Sequence, residues 1–106
     1  MILRYWRGWA TRENADAYER IAREEVLPSF ADRDLPGYRG SYLLRREAGG
    51  EIEYAVIMTF DSVDAVRAFA GDDYEAAYVP TQVREVLTRF DMRAAHYEVL
   101  VTPSET

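Results

Sequence analysis

His96 is the only histidine in the chain. Its imidazole is the one side chain whose ordinary pKa lies near neutrality, so it is the natural proton acceptor if the protein deprotonates a substrate. Glu98 sits two residues on, on the same strand face and about 7 Å away by strand rise, so it reaches the imidazole only with a bent side chain or through water. Arg4 stays charged even when partly buried, which suits it to holding an enolate or phenolate. Trp6 shares a strand parity with Arg4 and Gly8; an aromatic plane beside a cation and a small residue is what a flat anionic or phenolic ligand needs. Tyr54 and Tyr74 are the preferred pocket hydroxyls among eight tyrosines, with Tyr74 in a polar break that can form a mobile lip. His96 and Arg4 are therefore the catalytic candidates, and Trp6, Tyr54 and Tyr74 the substrate-binding ones. Each has a plain structural alternative: His96 packed at an interface and bonded to a backbone carbonyl, Arg4 paired with a Glu between subunits, and the aromatics as core.

Composition narrows the chemistry further. The chain has no Cys, and all thirteen of its basic residues are Arg. Thiol nucleophiles, disulfides, Cys-held metal clusters, Schiff bases and covalent pyridoxal phosphate are thereby excluded. Asp72-Asp73 has no spaced His or second acidic cluster to complete a metal site and reads as a solvated loop after a helix stop. No metal and no cofactor are expected. A net charge of −6 with mixed signs argues against a nucleic-acid surface. No apolar run approaches the length of a membrane span, and Arg4 and Arg7 interrupt the opening residues, so neither membrane association nor a leader peptide is expected, and the cytoplasm is the default. One hundred and six residues are the size of one domain, assigned here to 1–106 with a frayed tail at 102–106.

These residues must be positioned by elements that the hydrophobic spacing marks out. Ile2 to Ala10 reads as a strand. Asn14 is placed to cap a helix with apolar positions Tyr18, Ile21, Ala22 and Val26, which Pro28 should end or bend, although the apolar series runs on to Phe30. Tyr38 to Glu47 and Glu51 to Phe60 read as a hairpin closed by Gly49-Gly50, with Arg46 opposite Glu53, Leu44 opposite Ala55 and Tyr42 opposite Ile57. Asp61 or Ser62 caps a second helix that Gly71 stops. Pro80 opens a third, carrying Val83, Val86, Leu87 and Phe90 on one face. Met92 to Val101 reads as the last strand.

Strand, helix, strand, strand, helices, strand is the ferredoxin-like split βαββαβ order, an α+β fold with a four-stranded antiparallel sheet. Helices cover one face of such a sheet. Yet both strand parities here are apolar: Tyr42, Leu44, Ala55 and Ile57 on one, and Leu43, Tyr54, Val56, Met58 and Phe60 on the other. The uncovered face calls for a partner, and a second copy packed sheet to sheet is the simplest one, giving a homodimer.

Four segments carry a family likeness: Arg4-Tyr5-Trp6-Arg7-Gly8, Pro36-Gly37-Tyr38-Arg39-Gly40, Phe69-Ala70-Gly71-Asp72-Asp73-Tyr74 and His96-Tyr97-Glu98-Val99. With the element order they make the chain resemble the dimeric α+β barrel proteins, and among them the antibiotic biosynthesis monooxygenase domains. The resemblance implies a homodimer and a small enzyme acting on a planar aromatic or polyketide-like molecule, such as an oxygenase that uses O₂ with no metal or flavin. It equally admits isomerases, cyclases and non-catalytic binding proteins. Haem-degrading relatives use an Asn on the first strand with a His and a Trp from the second-helix region. Here the single Asn, Asn14, opens the first helix, His96 is on the last strand and both Trp residues are on the first, so that pattern is not matched.

Overall fold

The computed structural model describes residues 1–106. A long first strand, β1 (Ile2–Thr11), runs directly into helix α1 (Arg12–Ile21). The cap is Thr11 and not Asn14: Thr11 Oγ1 accepts the Asn14 backbone N–H at 3.2 Å, so the helix starts at Arg12, earlier than an Asn14 cap would allow. The helix does not stop at Pro28. A π-helical turn at Ala22–Val26 leads into α2 (Leu27–Asp32), with the Leu27 N–H reaching back to the Ala22 carbonyl. That widened turn resets the ladder, and Pro28 falls in the first turn of α2, where a missing N–H is tolerated. The amphipathic stripe thus continues to Phe30, which is buried.

Strands β2 (Tyr38–Ala48) and β3 (Glu51–Phe60) form the expected hairpin. Gly49 and Gly50 take φ of 61° and 88°, the positive values that the two-residue loop demands. The register is the expected one, with Arg46 opposite Glu53, Leu44 opposite Ala55 and Tyr42 opposite Ile57. Ser62 caps α3 (Val63–Ala70) by accepting the Ala65 N–H at 3.2 Å, and Gly71 ends it at φ 88°.

The C-terminal quarter departs from expectation. The third helix is one turn, α4 (Thr81–Arg84), and Phe90 lies in a short strand, β4 (Arg89–Phe90), beside β1. The expected strand over Met92 to Val101 is confined to β5 (Ala95–Glu98). β4 and β5 both pair with β1, so two short pieces share the fourth position of the sheet, whose order is β2-β3-β1-β4 with β5 alongside β1. Asp91 drives the break: its carboxylate accepts from the Arg7 backbone N–H and side chain, and its carbonyl accepts from the Trp6 indole. Within Thr102 to Thr106, Thr102 and Glu105 form a capping box around a 3₁₀ turn, Pro103–Glu105. No helix is long and apolar enough to cross a membrane.

All helices lie on one face of the antiparallel sheet. That face carries Arg4, Trp6, Gly8 and Ala10 from β1 and Tyr54, Val56, Met58 and Phe60 from β3. Its core has two centres, one around Tyr18, Ile21, Tyr54 and Val83 and the other around Phe30, Phe60, Val66 and Phe69. The opposite face is bare. Tyr42 (62% exposed), Leu44 (46%) and Tyr97 (58%) stand on it, among Leu3, Tyr5, Ala55 and Ile57.

Candidate functional site

Between the sheet and the helices lies an apolar cavity of about 50 Å³. Trp6, Val56 and Met58 form its floor, Tyr18, Ala22, Val26 and Phe30 one wall, and Phe69, Tyr78 and Val83 another. Arg4 is the only charged residue that lines it. The π turn contributes directly, since Ala22 and Val26 both face the space; interruptions of this kind recur at functional sites.

Arg4 reaches the site because it sits in the middle of β1 with its parity toward the helices. Its side chain is 4% exposed. Nη1 donates to the Tyr74 carbonyl and to His96 Nε2, the latter at 3.0 Å, and Nη2 donates to the Ala76 carbonyl at 3.0 Å. The guanidinium carbon lies 5.3 Å from the centre of the Phe69 ring. Every one of these partners is neutral. Burial pulls the Arg4 pKa down to about 10, so the group remains a cation at neutral pH.

His96 is directly across from Arg4 in the β1–β5 pairing. Arginine has donors only, so Nε2 must be the accepting nitrogen and the ring hydrogen is on Nδ1. Nδ1 is buried and has no hydrogen-bond partner. Desolvation first, and the neighbouring Arg4 charge second, lower the His96 pKa, with Glu75 opposing. The imidazole is thus held neutral with its lone pair facing a guanidinium. Glu75, brought in by the loop before α4, is the carboxylate that this ring senses; Glu98 is exposed and plays no such part.

The other candidates divide. Trp6 lines the cavity, its indole Nε1 pinned to the Asp91 carbonyl at 2.8 Å. Tyr74 joins the cluster by its backbone carbonyl and by an edge-on ring contact with His96, centroids 5.1 Å apart, and not by a hydroxyl in the cavity. Tyr54 is fully buried behind the wall: its ring packs on Tyr18 at 4.5 Å, and its hydroxyl donates to Glu19 Oε2 at 2.6 Å. That bond holds the Glu19 carboxyl below its usual range, while burial pushes the Tyr54 phenol up. Tyr54 therefore does not meet Arg4, Trp6 and His96. Trp9, on the other face, lies under Arg89, whose guanidinium carbon is 4.0 Å from the ring centre.

Residues that the spacing did not single out complete the site. Phe30, Phe69 and Tyr78 form its aromatic walls, and the carbonyls of Tyr74 and Ala76 anchor Arg4. The apolar periodicity marked Phe30 and Phe69 as core without distinguishing a cavity. No side-chain type announces a carbonyl.

No family profile and no curated protein sequence matches this chain. Solved structures do. Rv0793 from Mycobacterium tuberculosis is 20% identical, with 96% of this chain and 97% of that one aligned and a TM-score of 0.62. A Bacillus cereus protein provisionally assigned as an antibiotic biosynthesis monooxygenase is 14% identical over 95% of this chain and 92% of its own, with a TM-score of 0.62. The heme-degrader MhuD from Mycobacterium tuberculosis, seen with two hemes in its active site, is 22% identical over 94% and 97%, with a TM-score of 0.56. At these identities the likeness is one of fold.

Proposed function

We propose, taking as premise the fold shared with the antibiotic biosynthesis monooxygenase group, that this chain is a cofactor-independent oxygenase acting on a small planar phenol in the Arg4 cavity. The observation that carries the reading is the pairing of an aromatic-walled slot with one buried cation. Trp6 supplies the flat surface and Arg4 the charge that stabilises a ring oxyanion. His96 supports Arg4 through Nε2. In the reaction the phenolate ring transfers electrons to O₂, a carbon–oxygen bond forms para to the oxygen, and the resulting hydroperoxide loses water to leave a quinone. One O₂ is consumed for each quinone, its second oxygen atom leaves as water, and no external reductant is required.

Size ranks the substrates. A volume of about 50 Å³ is well below the roughly 300 Å³ at which ligand pockets for larger molecules begin, and below the roughly 150 Å³ of a cavity that binds benzene. Any aromatic substrate therefore enters only as the walls move apart, two fused rings with less displacement than three, and haem with the most. The one imidazole also has its accepting nitrogen turned to Arg4 and away from any iron. Oxygen uptake with 1-naphthol and with anthrone tests the assignment: 1-naphthol should be consumed with equal quinone formation and no hydrogen peroxide, and anthrone more slowly. Binding of the phenol with no oxygen uptake above the heat-treated protein would leave a ligand-binding protein in place of an enzyme.

The bare sheet face supports a homodimer as the working assembly. Tyr42, Leu44 and Tyr97 would be covered by the same residues of a second copy, while the Arg7–Asp91 and Arg46–Glu53 ion pairs neutralise charge within that face.

A further inference from the structure

The cavity is enclosed by walls of unequal strength. Its floor belongs to the β1–β3 ladder, and one wall to the continuous helical run over residues 12–32. The other wall ends in Tyr78 and Pro80, on a segment, residues 71–80, that has no helix and only a single bridge, Ala76 to Arg93. No residue from Gly71 to Tyr78 is buried, and Tyr78 is 53% exposed although its ring meets Phe30 and Phe69. Over residues 72–78 two backbone hydrogen bonds tie the segment to the rest of the molecule: the Ala77 N–H donates to the Met92 carbonyl at 3.0 Å, and the Ala94 N–H to the Glu75 carbonyl at 2.7 Å. Arg93 adds ion pairs to Asp73 and Glu75 at 2.8 and 3.6 Å, all on the exposed surface. Segments with few buried apolar groups and exposed hydrogen bonds are those that open at low cost.

Arg4 is the one buried attachment. Its Nη1 donates to the Tyr74 carbonyl and its Nη2 to the Ala76 carbonyl, the latter at 3.0 Å; these are two of its three acceptors, the third being His96 Nε2. Asp73 and Glu75 turn outward to Arg93, so the closed segment keeps a cation out of water on neutral dipoles alone. Lifting the segment breaks two bonds but returns water to that charge, and the second effect offsets the first. The ends differ from the middle. Gly71, at φ 88°, has nothing within 4 Å of the place a side chain would take, whereas Val79 is buried in the core with Val83.

We infer that residues 72–78 are a lid over the cavity, hinged at Gly71 and at Val79-Pro80 and latched shut by Arg4 through the Tyr74 and Ala76 carbonyls. This rests on the cavity being the reaction site proposed above, and it adds the route by which a molecule larger than the closed space enters. Opening moves Tyr78 off Phe30 and Phe69 and leaves Trp6 and the helical wall in place.

A disulfide staple tests the lid. Ala76 and Arg93 are a non-hydrogen-bonded antiparallel pair, flanked by the two backbone bonds; such pairs stand about 4.5 Å apart at Cα, within disulfide range. The chain has no cysteine, so Ala76→Cys with Arg93→Cys can form only that bridge within the chain. Hydrogen exchange followed by NMR should show the Ala77 and Ala94 N–H groups of the wild type about a hundredfold or more less protected than the β1–β3 ladder. Oxidising the double variant should raise their protection about tenfold or more over its reduced form. Arg4→Met should lower it relative to the ladder; where that variant fails to fold by circular dichroism, Arg4→Lys, which lacks the fork, should give a smaller loss in the same direction. Stopped-flow binding of 1-naphthol under argon, where no oxygenation occurs, should be about tenfold or more slower in the oxidised double variant than in the reduced one.

Ladder-like protection at Ala77 and Ala94, exchange indifferent to the disulfide or to Arg4, or equal association rates in the oxidised and reduced forms would each overturn the lid. The expected exchange pattern with no 1-naphthol bound by either form would keep the lid and sink the oxygenase reading. Oxygen uptake from 1-naphthol as fast in the oxidised form as in the reduced would keep the oxygenase and sink the lid.

Discussion

Arg4 and His96 face each other across the β1–β5 ladder with Nη1 and Nε2 3.0 Å apart. Since the guanidinium cannot accept, this single contact assigns the imidazole tautomer, and it strands Nδ1–H in a buried place without a partner. Protonating the ring would turn its lone pair into a second donor aimed at a cation. The contact is therefore compatible with neutral His96 only.

Stability should consequently fall as the solution is acidified from pH 7 to pH 5. The folded pKa of His96 is lowered, so the unfolded chain binds more protons in this window; stability is full above the unfolded value near 6.5 and is lost as pH drops toward the folded one. His96 is the only histidine, and the carboxylates with lowered pKa, such as Glu19, Glu51 and Asp73, lose their contribution only below about pH 4.5. Urea titrations of wild type and His96→Gln should show a slope between pH 7 and 5 in the first and a flatter line in the second. Parallel lines would mean that the ring is not desolvated.

His96→Gln also separates positioning from base catalysis. A positioning role predicts a several-fold rise in KM for 1-naphthol with kcat little changed, because the glutamine carbonyl can still accept from Arg4. Loss of a general base predicts a kcat drop of about 10²–10⁴. Steady-state oxygen uptake distinguishes the two.

Gly8 has no room for a side chain. A Cβ there would come within 2.7 Å of Leu87 Cδ1 and 3.0 Å of the Trp6 ring. Leu87 can yield at its flexible end; Trp6, tied to the Asp91 carbonyl, cannot easily do so. Gly8→Val should cost about 1–3 kcal/mol in denaturant unfolding and displace the indole into the cavity, with a raised KM for 1-naphthol. Unchanged stability and KM would show that the sheet can move away locally.

The bare face should make the protein sediment as twice its 12.2 kDa mass at micromolar concentration. Ile57→Arg puts a charge at the middle of β3 on that face and should yield a monomer that keeps its circular dichroism, since the helix-side core is untouched. A wild-type monomer would remove the case for sheet-to-sheet pairing.

Much of the fold was legible in local pattern. The Gly49-Gly50 loop and the Arg46–Glu53 pairing set the hairpin register, and Ser62 and Gly71 bounded α3, because turn and cap chemistry acts over a few residues. Local signals failed where a distant group intervened. Phe90 fits a helical stripe, but Asp91 bonded to Arg7 and Trp6 pulls that stretch into the sheet. Thr11 preempted Asn14 as the cap because β1 ends there. At the site, parity placed Arg4 and Trp6 on one face together; Tyr54 shares that side of the sheet but packs under Tyr18 and Glu19 and does not line the cavity.

Order of elements, the ferredoxin-like topology and the two apolar sheet faces were determined by the sequence itself, because they follow from periodicity and from the conformational limits of glycine, proline and capping side chains. Only the folded chain decided that the helix-covered face borders the cavity, that this cavity is small, and that Arg4 is buried with no carboxylate beside it. Those properties depend on which acidic groups of a loop far along the chain turn inward, and Asp73 and Glu75 turn outward to Arg93.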